Sequence, residues 1–146
     1  AVDRMLIGEY VDTEYEGNQG LVDELEYMHK NKTGALIRAA VRIGAILAKV
    51  NEKDLANLTN YAEKIGLAFQ IRDDILSEIG DEKVLGKPVG NDRKRNKCTY
   101  VSKYGLEKAE QELEKNIKEA IESLETYGEK AQFLKDLAIY IGKRNK

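Results

Sequence analysis

Near the middle of the chain, Phe69-Gln70-Ile71-Arg72-Asp73-Asp74-Ile75-Leu76-Ser77 concentrates groups that can do chemistry. At ~100° per residue in a helix, Gln70, Asp73, Asp74 and Ser77 fall within one arc of roughly 100°, opposite Ile65, Ala68, Ile75 and Ile79. By composition alone the simpler reading of such a polar stripe is a solvated outer face. Its neighbours support a second one. Adjacent carboxylates with a neutral oxygen one turn on are hard ligands that suit Mg²⁺, which takes few protein oxygens and keeps waters and phosphates in its shell. Ser77 is placed to add its oxygen to such an ion. Downstream, Gly86-Lys87-Pro88 and the stretch from Asn91-Asp92 to Lys97 supply ammonium groups. A carboxylate-held Mg²⁺ facing mobile ammonium groups is suited to gripping a diphosphate.

The elements that must position these groups are helices. The chain has 146 residues, room for one domain, with one Pro, two Phe and no Trp. Its abundance of Ala, Leu, Ile, Lys and Glu favours helix throughout and predicts an all-α fold. An amphipathic segment covers Leu21 to Lys30, and Ala35 to Ala48 is apolar on nearly every side, as a buried helix would be. Gly34, Ala35, Ala39, Ala40, Gly44, Ala45 and Ala48 would let neighbouring helices approach it closely. Asn51-Glu52-Lys53-Asp54 is a start signal for a long helix from about Leu55 to Ile79. Gly80, Gly86, Pro88 and Gly90 then punctuate a loop over 80–97. At roughly 18 residues it exceeds the usual helix connection of about 2–8, a property of functional or disordered loops. Helix returns at about Thr99, runs from Leu106 through Tyr127, and ends with a last helix from about Glu129 to Ile141.

Charge narrows the function classes. There are 24 Lys+Arg against 26 Asp+Glu, a formal net of −2, which argues against bulk nucleic-acid binding. The charge is segregated: residues 1–30 hold eight acids and two bases, whereas 86–97 hold five bases and one acid. No stretch approaches the ~20 consecutive apolar residues that a membrane span needs. A single cysteine, Cys98, cannot form an internal disulfide, and the cytoplasm is the expected compartment. His29, the one histidine, lacks a Cys or His partner for zinc and is expected to be structural or solvated. The eight tyrosines are expected to pack at the edge of the core.

The stretch Gly66-Leu67-Ala68-Phe69-Gln70-Ile71-Arg72-Asp73-Asp74-Ile75-Leu76, with Gly80-Asp81, Leu85-Gly86-Lys87-Pro88-Val89-Gly90, Asp92 and Lys97, closely resembles the second aspartate-rich region of the trans-isoprenyl diphosphate synthases and the loop after it. The farnesyl and geranyl diphosphate synthase branch is the most similar. Gly8-Glu9-Tyr10-Val11-Asp12 resembles the family's Gly-Gln-x-x-Asp helix, Lys32-Thr33-Gly34-Ala35-Leu36 its Lys-Thr motif, and Thr99-Tyr100-Val101 with Gly105-Leu106-Glu107 continues the match. The resemblance covers almost the whole chain. It implies an antiparallel helical bundle of the isoprenoid synthase type and a prenyltransferase that joins an allylic diphosphate to isopentenyl diphosphate. By the same resemblance Asp73, and less directly Asp74, hold Mg²⁺; Lys32, Lys87 and Lys97 contact diphosphate oxygens; and Thr33 and Gln70 lie beside the allylic carbon, where their dipoles stabilise a carbocation.

Two residues depart from the family pattern. Ser77 stands where a third Asp is usual, and Glu9 where Gln is usual. The family's first aspartate-rich motif and the isopentenyl diphosphate ligands have no counterpart here, and Ala1-Val2-Asp3-Arg4-Met5-Leu6-Ile7 enters a helical pattern with no cap ahead of it. The expectation is the C-terminal half of a synthase that is catalytic only with its N-terminal half and, as in the family generally, homodimeric. The alternative is a non-catalytic helical partner that modifies another synthase subunit.

Overall fold

The computed structural model describes residues 2–14, 24–79 and 98–145; the predicted loop 80–97, including Lys87 and Lys97, lies outside them. The described chain is helical, as its composition predicts. It forms α1 (Val2–Glu14), α2 (Glu24–Asn31), α3 (Thr33–Leu47), α4 (Glu52–Ile79), α5 (Tyr100–Tyr104), α6 (Leu106–Glu122), a 3-10 segment (Glu125–Ala131) and α7 (Gln132–Lys143).

Local chemistry sets the boundaries. The start signal before α4 is a working cap: the Asn51 side-chain oxygen accepts the Asp54 N–H at 2.9 Å, so the helix begins at Glu52 rather than Leu55. Thr99 caps α5 through a reciprocal pair with Ser102. The helix expected to reach Tyr127 stops at Glu122. Beyond it Gly128 takes φ 57° and ψ −133°, a conformation open to glycine, and the chain folds back so that the last helix starts at Gln132 rather than about Glu129.

Helix α4 is the axis of the bundle. Arg38 Nη1 donates to Glu63 at 3.1 Å and Arg42 Nη1 to Thr59 at 2.8 Å, so α3 runs antiparallel to it. On another side Asn60 donates to Ser123 at 2.6 Å, and Lys64 pairs with Glu119, so α6 is antiparallel as well. The reversal at Gly128 then makes α7 parallel to α4. Tyr61 Oη donates to the Leu134 carbonyl at 2.7 Å, and eleven residues on Arg72 Nε donates to the Arg144 carbonyl at 2.9 Å.

The apolar arc of α4, Tyr61, Ile65, Ala68, Ile71 and Ile75, is buried with Leu113, Ala120 and Leu124 and with Ala138 and Ile141 of α7. Tyr61 is therefore a core residue rather than an edge one, and burial pushes its phenol up to about 12. Ile79, expected on this arc, ends the helix outside the core and is exposed.

The neighbouring arc carries small residues. A Cβ placed on Gly66 would sit 3.0 Å from the Gly34 Cα, so α3 and α4 meet backbone to backbone there. Helix α3 was expected to be buried all round, and it is not. Gly34, Ala35 and Ala45 are covered, but Leu36, Ile43, Ile46 and Leu47 are exposed, because α3 packs its small-residue edge on α4 and no described element covers its outer side. Helix α1 crosses the α2–α3 junction as closely: a Cβ on Gly8 would lie 2.6 Å from the Lys32 nitrogen.

Asp74 ties the smaller helices to α4. Its Oδ2 accepts the Tyr100 N–H at 2.8 Å and lies 3.6 Å from Nε2 of buried His29, whose ring meets Tyr100 edge to face. His29 is thus structural, as expected, and buried rather than solvated.

Two substitutions test these contacts by urea unfolding. Gly66→Ala forces a methyl group against backbone and should cost about 1–3 kcal/mol, with Gly66→Val worse; an unchanged midpoint would mean that the helices do not meet there. Asp74→Ala removes a charged acceptor from a buried N–H and should cost about 1.5–3 kcal/mol, whereas Asp74→Asn keeps an acceptor oxygen and should lose less than half as much. Equal losses for the two would show that the carboxylate charge, not the Tyr100 bond, is what α5 needs.

Candidate functional site

The polar stripe does not face solvent. Gln70 and Ser77 are buried and the Asp74 side chain is 13% exposed, so the outer-face reading fails. Its position follows from the antiparallel α3–α4 pair. The start of α3 is level with Gly66, and the same arc of α4 continues past it, one turn on at Gln70 and nearly two at Asp73. The fold therefore brings Lys32 and Thr33 to the turn of α4 that carries Gln70.

The candidate residues then divide. Lys32 precedes α3; its N–H donates to the Met28 carbonyl at 2.8 Å and its Nζ lies 3.7 Å from Glu9 Oε2 of α1. Glu9, the charged departure from the family's Gln, is thus a counter-ion for Lys32. Thr33 is half-buried at the first position of α3. Asp73 is the open carboxylate, with 47% of its side chain exposed. Asp74, turned 100° away on the helix, faces α2 and α5. Ser77 donates its hydroxyl to the Asp74 carbonyl at 3.3 Å. Lys87 and Lys97 fall outside the described residues.

One residue of the site was missed from sequence. Arg144 follows α7 and reaches the aspartate-rich turn: its Nη2 lies 3.4 Å from Asp73 Oδ1 and 3.3 Å from the Phe69 carbonyl, and its guanidinium carbon stands 4.0 Å over the Phe69 ring. Burial, then the nearby Arg144 charge, lowers the Arg72 pKa. The only sequence signal was the basic run Lys143-Arg144 at the end of an apolar helix. Cys98 is half-buried, and burial pushes its thiol pKa up, away from nucleophilic use.

The donor set can be tested against Mg²⁺. Among the described residues no three His, Cys, Asp or Glu side chains gather into a cage. Asp73 offers an accessible carboxylate, whereas Asp74 holds a backbone N–H. One carboxylate fits a cation that completes its shell with waters and phosphate oxygens, and does not fit zinc.

Comparison with known proteins bears on the same residues. The polyprenyl synthetase family model matches residues 1–137. Farnesyl diphosphate synthase of Escherichia coli (strain K12) is 45% identical over 143 residues, covering 95% of this chain and 48% of that protein. The crystal structure of geranylgeranyl pyrophosphate synthetase from Pyrococcus horikoshii Ot3 superposes with a TM-score of 0.87 at 27% identity, over 97% of this chain and 55% of that one. Helicobacter pylori geranyltransferase, crystallised with magnesium and isoprenyl diphosphate, superposes with a TM-score of 0.75 at 25% identity, over 94% and 45% of the two chains. The chain thus spans about half the length of the curated relatives it matches. The family match covers α1 through the first half of α7, including every sequence-predicted site residue that the structure describes though not Arg144; the chain belongs to the polyprenyl synthetase family.

Proposed function

We propose that this chain supplies the second aspartate-rich wall of a prenyltransferase site that condenses an allylic diphosphate with isopentenyl diphosphate. The observation that carries the reading is Asp73: an accessible carboxylate on an otherwise buried polar stripe, on the arc of α4 that runs on past the start of α3, where Lys32 and Thr33 stand. The Helicobacter relative's magnesium and isoprenyl diphosphate supply the ligand chemistry by analogy. Mg²⁺, when bound, would offset the negative charge that builds on a departing diphosphate.

The chain's own residues account for the rest. Asp73 would hold the cation. Lys32 would bind diphosphate oxygens, helped by the positive end of the α3 dipole immediately behind it, with Lys87 and Lys97 in the same role. Thr33 and Gln70 present oxygen dipoles where a cationic carbon would form, and both are held by packing, so little reorganisation is needed as charge develops. The exposed apolar side chains of α1 and α3, Leu6, Ile7, Leu36, Ile43 and Leu47, support a second part of the reading: an N-terminal half carrying the first aspartate-rich motif packs against this one and completes the site.

The test uses the full-length polypeptide with dimethylallyl and isopentenyl diphosphates, Mg²⁺ and mass spectrometry of products. Prenyl diphosphates longer by five-carbon units are expected, and none from the 146-residue chain alone. Asp73→Ala should lower kcat about 100-fold or more, and Lys97→Ala less, since it removes one of several diphosphate contacts. No product from the full-length protein, or a reversed order of the two losses, would overturn the assignment.

A further inference from the structure

We propose that Arg144 is a positioning residue that makes cation binding at Asp73 depend on diphosphate, by holding the Asp73 carboxylate until a diphosphate arrives to share the guanidinium charge. This rests on the reading of Asp73 as the cation ligand.

Four observations support it. Arg144 is the more fixed partner, with 11% of its side chain exposed against 47% for Asp73. Its backbone is anchored by Arg72 Nε at 2.9 Å and by its own N–H to the Tyr140 carbonyl at 2.8 Å. The guanidinium carbon stands 4.0 Å from the ring centre of Phe69, the residue one helical turn before Asp73, and Nη2 donates to the Phe69 carbonyl at 3.3 Å. Its approach to Asp73 Oδ1, 3.4 Å, is longer than the roughly 2.7–2.9 Å of a strong charge-assisted bond, so the guanidinium sets its charge beside the carboxylate without a short bond to it.

Electrostatics sets the direction. A fixed positive charge this close to the ligand oxygen opposes a divalent cation arriving alone. A diphosphate reverses the balance, because its oxygens accept from the guanidinium and coordinate the cation at once. The two ligands are therefore coupled, and reciprocally. Since α7 runs parallel to α4, its end is carried to the turn of Asp73, and Arg144 stands just past that end.

The experiment measures Mn²⁺ binding to the full-length polypeptide by electron paramagnetic resonance, with and without inorganic pyrophosphate, correcting for the metal–pyrophosphate complex. The wild type should bind Mn²⁺ weakly alone and more tightly with pyrophosphate. Arg144→Gln should tighten Mn²⁺ binding alone by about three- to tenfold and shrink the pyrophosphate gain by a similar factor. Arg144→Lys, which keeps the charge, should stay near wild type for Mn²⁺ alone. A merely structural role would loosen the site and weaken metal binding, so the sign is diagnostic. If Arg144→Gln does not fold, Arg144→Met, which keeps an apolar stem on Phe69, carries the same expectation. Unchanged or weaker Mn²⁺ binding in the folded variant overturns the role of Arg144 while leaving Asp73 as ligand. Absence of Mn²⁺ binding to wild type, with and without pyrophosphate, overturns the functional reading beneath it.

Discussion

The contact between Gly34 and Gly66 governs most of what this chain can do. Where two helices touch through backbone, their separation is set by the absence of side chains, and here a single added carbon would lie 3.0 Å from the facing Cα. That closeness places the start of α3 against the middle of α4, and with it Lys32 and Thr33 beside the turn of Gln70. A larger residue at either glycine would lift α3 away from α4 and move these groups apart. Gly8 repeats the device one layer out, letting α1 rest on the Asn31–Lys32 backbone so that Glu9 reaches the Lys32 ammonium.

Because α3, α6 and α7 all pack on α4, little of that helix from Lys64 to Glu78 faces solvent, and its polar residues there need partners inside the protein. Desolvating a carboxylate is costly unless hydrogen bonds replace the lost water. Asp74 meets this by accepting the Tyr100 N–H, and Ser77 by donating to a helix carbonyl. Asp73 retains water and a guanidinium. The stripe thus combines buried groups, of which Asp74 and Ser77 are hydrogen-bonded, with one accessible anion, an arrangement that would grip a ligand at a defined point.

How much of this was legible in the sequence depends on the range of the interaction. Helix content, the start signal at Asn51, the return of helix at about Thr99 and the family motifs are local signals, and they were read from residues within a few positions of one another. The small residues announced close approach but not their partner; only the antiparallel pairing of α3 with α4 identifies Gly66 as the group that Gly34 meets. The burial of α3 was overstated because apolarity on all sides shows that a surface needs covering, without showing what covers it. The polar stripe resembled a solvated face because no periodicity reveals that α2, α5 and the end of α7 gather around the C-terminal turns of α4. Arg144 was missed for the same reason. Its link to Asp73 spans 71 residues and depends on α7 returning parallel to α4, a topological fact set by the reversal at Gly128.

The adjacent aspartates show how position divides a role that sequence leaves shared. Successive residues of a helix point about 100° apart, so two identical side chains, one after the other, face different neighbours. Asp73 lies on the arc of Gly66 and Gln70, which continues beyond the start of α3. Asp74 is turned toward α2 and α5, where His29 and the Tyr100 N–H surround it. A carboxylate that orders the backbone cannot also leave its partner to follow a metal without loosening α5. One that holds a metal must keep a path to solvent. The pair can meet both requirements because the carboxylate that anchors α5 lies one residue from the accessible one, so the helix turn presenting Asp73 is held by Asp74.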